Sequence, residues 1–183
     1  LDNSLQLMVK YNCNVNIYEN DKLTQIEHKD FIYSLVYDPY GNQKQVKVGN
    51  SILITNTYEA NNGNLLSSLY GNNQQISYTY DRFDRLLTKT GTVGTYSYTY
   101  DGRSNLKTIV DGINANTTTY TYDLANRLVR EQNTNGYSAQ YEYDKNSNVS
   151  KVTDSLNSDT KITQYNYDLN NNINNVKLYN NTL

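Results

Sequence analysis

The sequence predicts an all-β protein made of tandem antiparallel β-hairpin repeats, each about 21 residues long. First, Tyr occupies alternate positions in stretches such as "TYSYTY" at 95–100, and a period of two is typical of a β-strand. Second, a Tyr-acid step returns every 19 to 24 residues. Third, turn-forming residues follow each step and occur again half a period later. No stretch shows a helical period with caps.

The Tyr-acid step marks the start of a turn in each repeat. Seven copies share it: Tyr37-Asp38, Tyr58-Glu59, Tyr80-Asp81, Tyr100-Asp101, Tyr122-Asp123, Tyr143-Asp144 and Tyr167-Asp168. Tyr18-Glu19 is interpreted as an earlier, degraded copy. We therefore divide the chain into a degenerate N-terminal repeat, residues 1–30, and an array over residues 31–183.

Further columns of the repeat follow from this alignment. A second Tyr precedes the signature Tyr by two residues in five copies: Tyr78, Tyr98, Tyr120, Tyr141 and Tyr165. An aliphatic residue follows the signature Tyr by six residues: Leu86, Leu106, Leu128, Val149 and Ile173. A basic residue precedes that aliphatic residue twice, as Arg85 and Arg127. We expect these columns to form the structural signature of the fold.

The acid after each signature Tyr is expected to cap a turn. Asp side chains accept hydrogen bonds from nearby turn amides, and Arg85 or Arg127 can form a salt bridge to the Asp four residues earlier. The fourth position after the signature Tyr is Gly41, Asp84, Asn126, Ser147 or Asn171, and most of these residue types accept a left-handed backbone. One turn geometry is therefore predicted for the column, with replacement of Gly interpreted as drift.

The other end of each hairpin carries different turn residues. Asp111-Gly112 and Asn135-Gly136 are strong hairpin signals, and Gly91 and Gly94 mark the equivalent place one repeat earlier. Each repeat is thus predicted to be two short strands with a turn at each end, and the chain a continuous meander. In that meander the tyrosines of successive repeats lie on one face, where we expect their rings to stack and their hydroxyls to bond Asn, Thr or water.

Composition excludes several function classes. The net charge of −2 provides no electrostatic footprint for nucleic acid, and no apolar run has the length of a membrane span. With 37% hydrophobic residues and 20 Tyr against 2 Phe, the chain cannot build a large aliphatic core. The single cysteine, Cys13, rules out an intrachain disulfide and is interpreted as a buried, inert thiol.

The pattern Tyr-x-Tyr-Asp-x-x-x-Arg-Leu resembles the tyrosine-aspartate (YD) repeats of the rearrangement-hotspot (RHS) family. The stretches that carry it are "YTYDRFDRL" at 78–86, "YTYDGRSNL" at 98–106 and "YTYDLANRL" at 120–128, and "YDPYGNQKQVKVGN" at 37–50 is similar. The resemblance covers nearly the whole chain and is weakest over residues 1–30. Its recurrence at a constant period makes it specific.

The resemblance implies a structural function. In this family the repeats form a curved or spiralling β-strip that builds a hollow shell, which in bacteria often encloses a toxic C-terminal domain of a secreted or cell-surface protein. The chain begins at Leu1 within a patterned region, so we expect it to be an internal wall segment of a longer polypeptide. Its expected partners are the rest of that shell and an enclosed domain, together with self-association through open strand edges.

Catalytic and ligand-binding functions have weaker support. His28, the only histidine, has no nucleophile or metal motif near it, so no catalytic residue, metal site or cofactor is predicted. A row of calcium sites is the alternative for the repeated aspartates, but each loop offers one or two carboxylates, too few for a calcium loop. The competing function is a carbohydrate- or protein-binding adhesion module that uses exposed Tyr and Asn.

Overall fold

The computed structural model describes residues 15–181, and these residues form sixteen β-strands and no helix. None of them therefore belongs to a helix that could span a membrane. The chain divides into two compact units, Leu1–Val93 and Gly94–Leu183. The prediction for Cys13 lies outside the described residues.

The first unit contains eight strands: β1 (Val15–Glu19), β2 (Lys22–His28), β3 (Phe31–Tyr37), β4 (Gln43–Val48), β5 (Ser51–Tyr58), β6 (Leu65–Tyr70), β7 (Gln75–Tyr80) and β8 (Leu86–Gly91). The second unit also contains eight: β9 (Gly94–Tyr100), β10 (Leu106–Asp111), β11 (Asn116–Tyr122), β12 (Leu128–Asn133), β13 (Tyr137–Tyr143), β14 (Val149–Leu156), β15 (Asp159–Tyr167) and β16 (Ile173–Asn181).

Within each unit every strand pairs antiparallel with the next strand in sequence. Such a meander needs only short connections, which is the organisation that the alternating tyrosines and paired turn signals predicted. The predicted all-β fold of tandem antiparallel hairpins is confirmed.

A β-bulge recurs at the hairpin end that carries the Tyr-acid step. Tyr80 pairs with Leu86, whereas the preceding residue, Thr79, pairs with Thr88, so one residue of β8 is left over. The same shift occurs at Tyr122 opposite Leu128 and at Tyr143 opposite Val149. The aliphatic column of the repeat thus faces the signature tyrosines, and each bulge increases the local twist of its hairpin.

Neither unit has a conventional core. Among the described residues only two apolar residues are buried, Val15 and Ala139, and no large side chain is fully buried. Most strand residues are half-buried because they are covered only by neighbours on the same face of a single sheet. The expected shortage of aliphatic core is therefore visible as a one-layer architecture, in which cross-strand contacts replace burial as the main source of stability.

The two faces of the sheet differ in chemistry. In β9, Tyr96, Tyr98 and Tyr100 share one face, and Thr99 lies on the other, opposite Thr108 of β10. The hydroxyl oxygens of Thr99 and Thr108 are 2.6 Å apart. We call these the tyrosine face and the polar face.

Turns at the hairpin ends without the Tyr-acid step vary in length. The loop between Asp111 and Asn116 has residues 112–115, and the loop between Asn133 and Tyr137 has residues 134–136. The hairpins predicted at these two places are confirmed, although their loops are longer than the two-residue turns that Asp-Gly and Asn-Gly most often form.

Candidate functional site

The repeated turn is the candidate site, because it contains most of the residues that the sequence singled out. We call it the YD turn: the signature Tyr, the acid that follows and the next four residues. Each signature Tyr is the last residue of its strand, each acid is the first turn residue, and each aliphatic residue of the signature begins the next strand. Arg85 and Arg127 are the last turn residues before β8 and β12.

The Asp81 turn shows how the acid organises the backbone. The Asp81 N–H donates to the Arg85 carbonyl (2.9 Å), and the Asp84 N–H donates to the Asp81 carbonyl (3.0 Å). Oδ1 of Asp81 accepts from the backbone N–H groups of Phe83 (2.8 Å) and Arg85 (3.1 Å). One carboxylate therefore satisfies two turn amides that the tight backbone would otherwise leave unpaired.

The other carboxylate oxygen binds the residue at the end of the turn. Oδ2 of Asp81 accepts from Nε of Arg85 at 2.8 Å and lies 2.6 Å from its Nη2. Asp123 and Arg127 repeat this arrangement, with both distances 2.7 Å. The predicted capping role of the aspartates and both predicted salt bridges are confirmed.

Sequence reasoning missed that Asn replaces Arg at this position in most YD turns. Nδ2 of Asn105 donates to Oδ2 of Asp101 at 3.0 Å, and Asn148 donates likewise to Asp144 at 3.1 Å. Asn42 and Asn172 do the same for Asp38 and Asp168. The column would have been recognised by a shared property, a planar N–H donor, rather than by positive charge.

The fourth position adopts the left-handed backbone that the residue types predicted. Its φ angles are positive at Gly41 (92°), Asp84 (59°), Ser104 (68°), Asn126 (60°), Ser147 (68°) and Asn171 (62°). In the Glu59 turn the equivalent residue is Gly63 (73°), which lies five residues after Tyr58.

The Glu59 turn departs from the others. The Glu59 N–H bonds the carbonyl of Asn64 rather than that of a residue four positions on, so this turn is one residue longer. Oδ1 of Asn62 accepts from the Asn64 N–H at 3.2 Å and takes over part of the capping. The longer Glu side chain thus coincides with a change in both loop length and cap.

The YD turns of Glu59, Asp101, Asp123 and Asp144 are each also bonded to the following turn in the same unit. Nδ2 of Asn105 donates to Oδ1 of Asn126 (3.1 Å), and Nη1 of Arg127 donates to Oγ of Ser147 (3.1 Å). Nδ2 of Asn148 donates to Oδ1 of Asn171 (2.9 Å). In the first unit, Nδ2 of Asn64 donates to Oδ1 of Asp84 (2.7 Å).

These bonds correct the interpretation of the fourth position as drift. Asp84, Asn126, Ser147 and Asn171 supply the acceptor for the donor of the preceding turn, and a glycine has no side-chain acceptor. The replacements therefore have a function, since the same residue sets the backbone and links two repeats.

The signature tyrosines join neighbouring hairpins through their hydroxyls. The Tyr143 hydroxyl donates to the Leu128 carbonyl at 2.7 Å, just beyond Arg130 and Gln140, the last paired residues of β12 and β13 at that end. The same bond, at 2.8–2.9 Å, joins Tyr37 to Leu23, Tyr58 to Gln43, Tyr80 to Leu65, Tyr122 to Leu106 and Tyr167 to Val149.

The expected hydroxyl partners were Asn, Thr or water, whereas the recurring partner is a backbone carbonyl. An Asn partner also occurs, where Nδ2 of Asn56 donates to the Tyr58 hydroxyl at 3.4 Å. A phenol reaches across the gap where two hairpins diverge and satisfies a carbonyl that the strand ladder leaves unpaired. Tyr is the residue that combines the needed length with a donor at its tip. Stacking of the tyrosine rings with one another stays a prediction.

Arginine adds a second type of contact to one signature ring. The guanidinium carbon of Arg127 lies 4.5 Å from the centroid of the Tyr143 ring while the same group binds Asp123. Lys22 similarly lies 5.3 Å from the centroid of Tyr37. A cation at the end of a turn (Arg127) or at the start of the following strand (Lys22) thus contacts the aromatic ring of the next repeat.

Hydrogen bonds lower the pKa of the turn carboxyls below the ordinary value of 3.8. The Arg85 side chain is the main cause for Asp81, and the Arg127 backbone N–H is the main cause for Asp123. For Asp101 the main cause is the Asn105 side chain, and for Asp168 it is the Asn172 backbone. The carboxylates are ionised at neutral pH, as their capping role requires.

The other candidate residues occupy separate places. Tyr78, Tyr98, Tyr120, Tyr141 and Tyr165 lie two residues before the signature tyrosines on the same strands and face. His28 ends β2 and pairs with Phe31. The residues that the structure describes contain no group of three or more His, Cys, Asp or Glu side chains placed to hold a metal ion.

Comparisons with known proteins agree with this geometry. Residues 122–158 match the family model described as RHS Repeat, a segment that contains the Asp123 and Asp144 turns. Among curated protein sequences, none matches this chain.

Two solved structures are similar in fold. One is the Tc holotoxin pore of Photorhabdus luminescens with a mutated TccC3, and the other is a crystal structure of TcdB2, TccC3 and Cdc42. Each match has a TM-score of 0.69 and 19% sequence identity, and covers 90% of this chain and 10% of the solved chain. The predicted resemblance to the YD repeats of the RHS family is confirmed, since residues 122–158 match the RHS Repeat model and lie within a strip of antiparallel hairpins.

Proposed function

We propose that this chain is a wall segment of an RHS-type shell and functions as structural material rather than as an enzyme. The observation that carries the proposal is the row of side-chain bonds from one YD turn to the next, such as Asn105 to Asn126 and Arg127 to Ser147. A one-layer sheet has little core, so bonds between repeats must hold it in shape. Most of the residues of the repeat signature take part in these bonds or in the turns they join.

The proposal extends to the larger protein. The chain spans about a tenth of the length of the solved toxin-complex chains that it matches, which suits a segment of a longer bacterial polypeptide. We propose that this polypeptide is secreted or displayed on the cell surface, and that its strip curves around a C-terminal toxin domain. Residues 31–183 are the repeat array in this scheme, and residues 1–30 are a degenerate repeat.

The test uses the complete polypeptide to which this chain belongs. Limited proteolysis should leave the region after the repeats protected in the parent protein. Replacing Asp101 and Asp123 by Ala removes two adjacent turn caps, and we expect the enclosed region to become sensitive to protease. The control is Glu142→Gln, which removes a carboxylate from a strand rather than from a turn. A parent polypeptide without any protected region would contradict the proposal.

Self-association is the second consequence of a wall segment. Open strand edges present unpaired N–H and C=O groups, so we expect the isolated chain to associate through them. Sedimentation velocity over a hundredfold range of concentration measures this, and a single monomeric species throughout would argue against the expected edge pairing.

Carbohydrate binding is the alternative function, and one observation favours it. The hydroxyls of Tyr78, Tyr98 and Tyr120 form no hydrogen bond to other residues within the described part of the chain, so they could serve a sugar that stacks on the rings. Calorimetric titration with glycans selected from an array tests this. Saturable binding that is lost in Tyr98→Ala but kept in Thr99→Ala, on the polar face, would favour the adhesion module over the scaffold.

A further inference from the structure

The tyrosine face of the second unit contains an acidic cluster that the wall function does not use. The strand register places Tyr120 opposite Glu131, Glu131 opposite Ala139, and Ala139 opposite Asp154. These four residues thus form one row across β11 to β14. Because adjacent strands lie about 4.8 Å apart, the backbones of Glu131 and Asp154 are separated by about 10 Å.

Two tyrosines complete the cluster. Tyr137 and Tyr141 lie two residues before and after Ala139 on β13, and therefore on the same face. Ala139 is fully buried, with 0% of its surface exposed, although it belongs to a single-layer sheet. Its neighbours on the face, Tyr137, Tyr141, Glu131 and Asp154, surround it, so the two carboxylates and two rings lie around one small residue.

The raised pKa values of the three tyrosines agree with their closeness to the two carboxylates. Burial is the first cause that raises the pKa of Tyr120 and of Tyr141, and the charge of Glu131 is the second. For Tyr137 burial and the charge of Asp154 raise the pKa to about 12. The Tyr137 hydroxyl also donates to Oδ1 of Asp154 at 3.3 Å.

The cluster has little internal compensation for its negative charge. Asp154 accepts the Tyr137 hydroxyl, but Glu131 has no hydrogen bond or ion pair with any residue that the structure describes. The one basic side chain facing it in register is Lys161, which is exposed and lies opposite Asp154. A groove of about 510 Å³ adjoins the cluster and is lined by Tyr137, Asp154, Leu156, Asp159 and Lys161, among others.

Another part of the chain provides an example of a cation held by a carboxylate and a tyrosine ring. The guanidinium of Arg127 is held by the carboxylate of Asp123 at 2.7 Å and by the ring of Tyr143 at 4.5 Å from its centroid. The cluster around Ala139 offers carboxylates and tyrosine rings again, but no arginine of the chain occupies it. A guanidinium suits this combination because it is planar, binds carboxylates through several N–H groups and stacks on aromatic rings.

We propose that the cluster formed by Tyr120, Glu131, Tyr137, Tyr141 and Asp154 binds an arginine side chain of a polypeptide partner. The open face of a sheet suits a side chain presented by a polypeptide better than a small molecule that needs an enclosed pocket. The assignment is independent of the proposed shell function, since it depends only on this face of the second unit.

The test is calorimetric titration of the full chain with three blocked tripeptides, Leu-X-Leu, where X is arginine, lysine or the neutral isostere citrulline. We expect saturable binding of the arginine peptide with one site per chain, at least tenfold tighter than for either other peptide. Equal affinity for the citrulline or lysine peptide, or no binding of the arginine peptide, would overturn the proposal.

Variants locate the site. Glu131→Gln should weaken binding of the arginine peptide at least tenfold, and Tyr141→Leu should weaken it while leaving both carboxylates in place. The matched control is Glu142→Gln, which removes the same charge from the opposite face of β13, where Glu142 pairs with Lys151. Circular dichroism of each variant verifies that the sheet is retained. Unchanged binding in folded Glu131→Gln, or equal loss in Glu142→Gln, would refute the assignment.

Discussion

The two ends of the hairpins are built on different principles. At the YD end the same cap, left-handed residue and tyrosine bond recur, as in the Asp81 and Asp123 turns. At the opposite end the loops differ in length and cap, as between residues 112–115 and 134–136. There the backbone itself makes the close contact: the Gly112 N–H donates to the Thr95 carbonyl at 2.9 Å.

The difference shows which parts of the repeat determine the geometry at each hairpin end. Side chains define the YD end, so its geometry survives changes of residue type that keep a donor or an acceptor. Close backbone contacts and turn length define the other end. Its sequence can therefore vary, except that a larger side chain is not tolerated where two backbones lie in close contact. Five predictions test this contrast, in order of decreasing effect.

The largest effect is expected from acid, because it acts on all capped turns together. The folded carboxyls have pKa values below 3.8, so the folded state binds fewer protons than the unfolded state. Their stabilisation is fully present above the unfolded pKa and is lost as the pH falls through the lower folded values. Urea midpoints measured between pH 6 and pH 2 should fall below about pH 4. A midpoint that stays constant to pH 2 would contradict this.

Gly112→Ala tests the opposite end. The added Cβ would lie 2.6 Å from the Thr95 carbonyl oxygen, closer than real contacts allow, so the backbone must shift. We expect a loss of about 1–3 kcal/mol in the free energy of unfolding, measured by urea denaturation. At the YD end, Gly102→Ala is the control, since its Cβ meets nothing within 4 Å. Equal losses in the two variants would remove the contrast between the ends.

Asn126→Val tests the left-handed position of the YD turn. A β-branched residue at φ 60° is strained, and the change also removes the acceptor for Asn105. The expected loss is about 1–2 kcal/mol in the same urea measurement. Asn126→Gly relieves the strain but not the lost acceptor, so it should cost less. A valine variant as stable as the glycine variant would disprove the strain argument.

Tyr143→Phe removes one hydroxyl bond between hairpins. The Leu128 carbonyl would lose its partner, and the expected cost is about 1 kcal/mol. Hydrogen exchange should also rise at the start of β12, near Leu128. Tyr98→Phe serves as the control because its hydroxyl makes no hydrogen bond with the described residues. An equal loss in the free energy of unfolding for the two variants would contradict this prediction, because it would mean that the hydroxyl bond does not stabilise the contact between hairpins.

The smallest effect is expected at alkaline pH. It concerns Tyr137, which follows the loop 134–136 at the hairpin end that has no YD turn. Its pKa is raised to about 12 by burial and by Asp154, so folding favours the protonated phenol. Its contribution is complete below pH 10 and is lost as the pH rises toward 12. The slope of stability against pH in this window should be smaller in Tyr137→Phe. An identical slope would exclude Tyr137 as the source.

The sequence was sufficient to predict the fold because period, turns and repeat all agreed. Alternation of Tyr with Thr predicted the strands, and the residue types at positions such as Asn126 and Asn171 predicted the left-handed turn. The aspartate caps followed from the short side chain at the first turn position. These are local properties, which a single repeat already contains.

Contacts between repeats could not be predicted in the same way. The tyrosine hydroxyl reaches a carbonyl more than a dozen residues away, such as Leu128 from Tyr143, and this depends on where the ladder between hairpins stops. The Arg and Asn donors differ in charge, so their common role was hidden until the acceptors were known. The cluster around Ala139 likewise required the register of four strands.

The bonds between successive turns all run in one direction. A donor late in one turn reaches an acceptor in the next, from Asn64 to Asp84 and from Asn148 to Asn171. The Asp123 and Asp144 turns each accept a bond from the preceding turn and donate one to the following turn. If a whole repeat of this kind were duplicated or lost, the donor of one turn would still meet the acceptor of the next. The number of repeats could therefore change by recombination without a new type of contact.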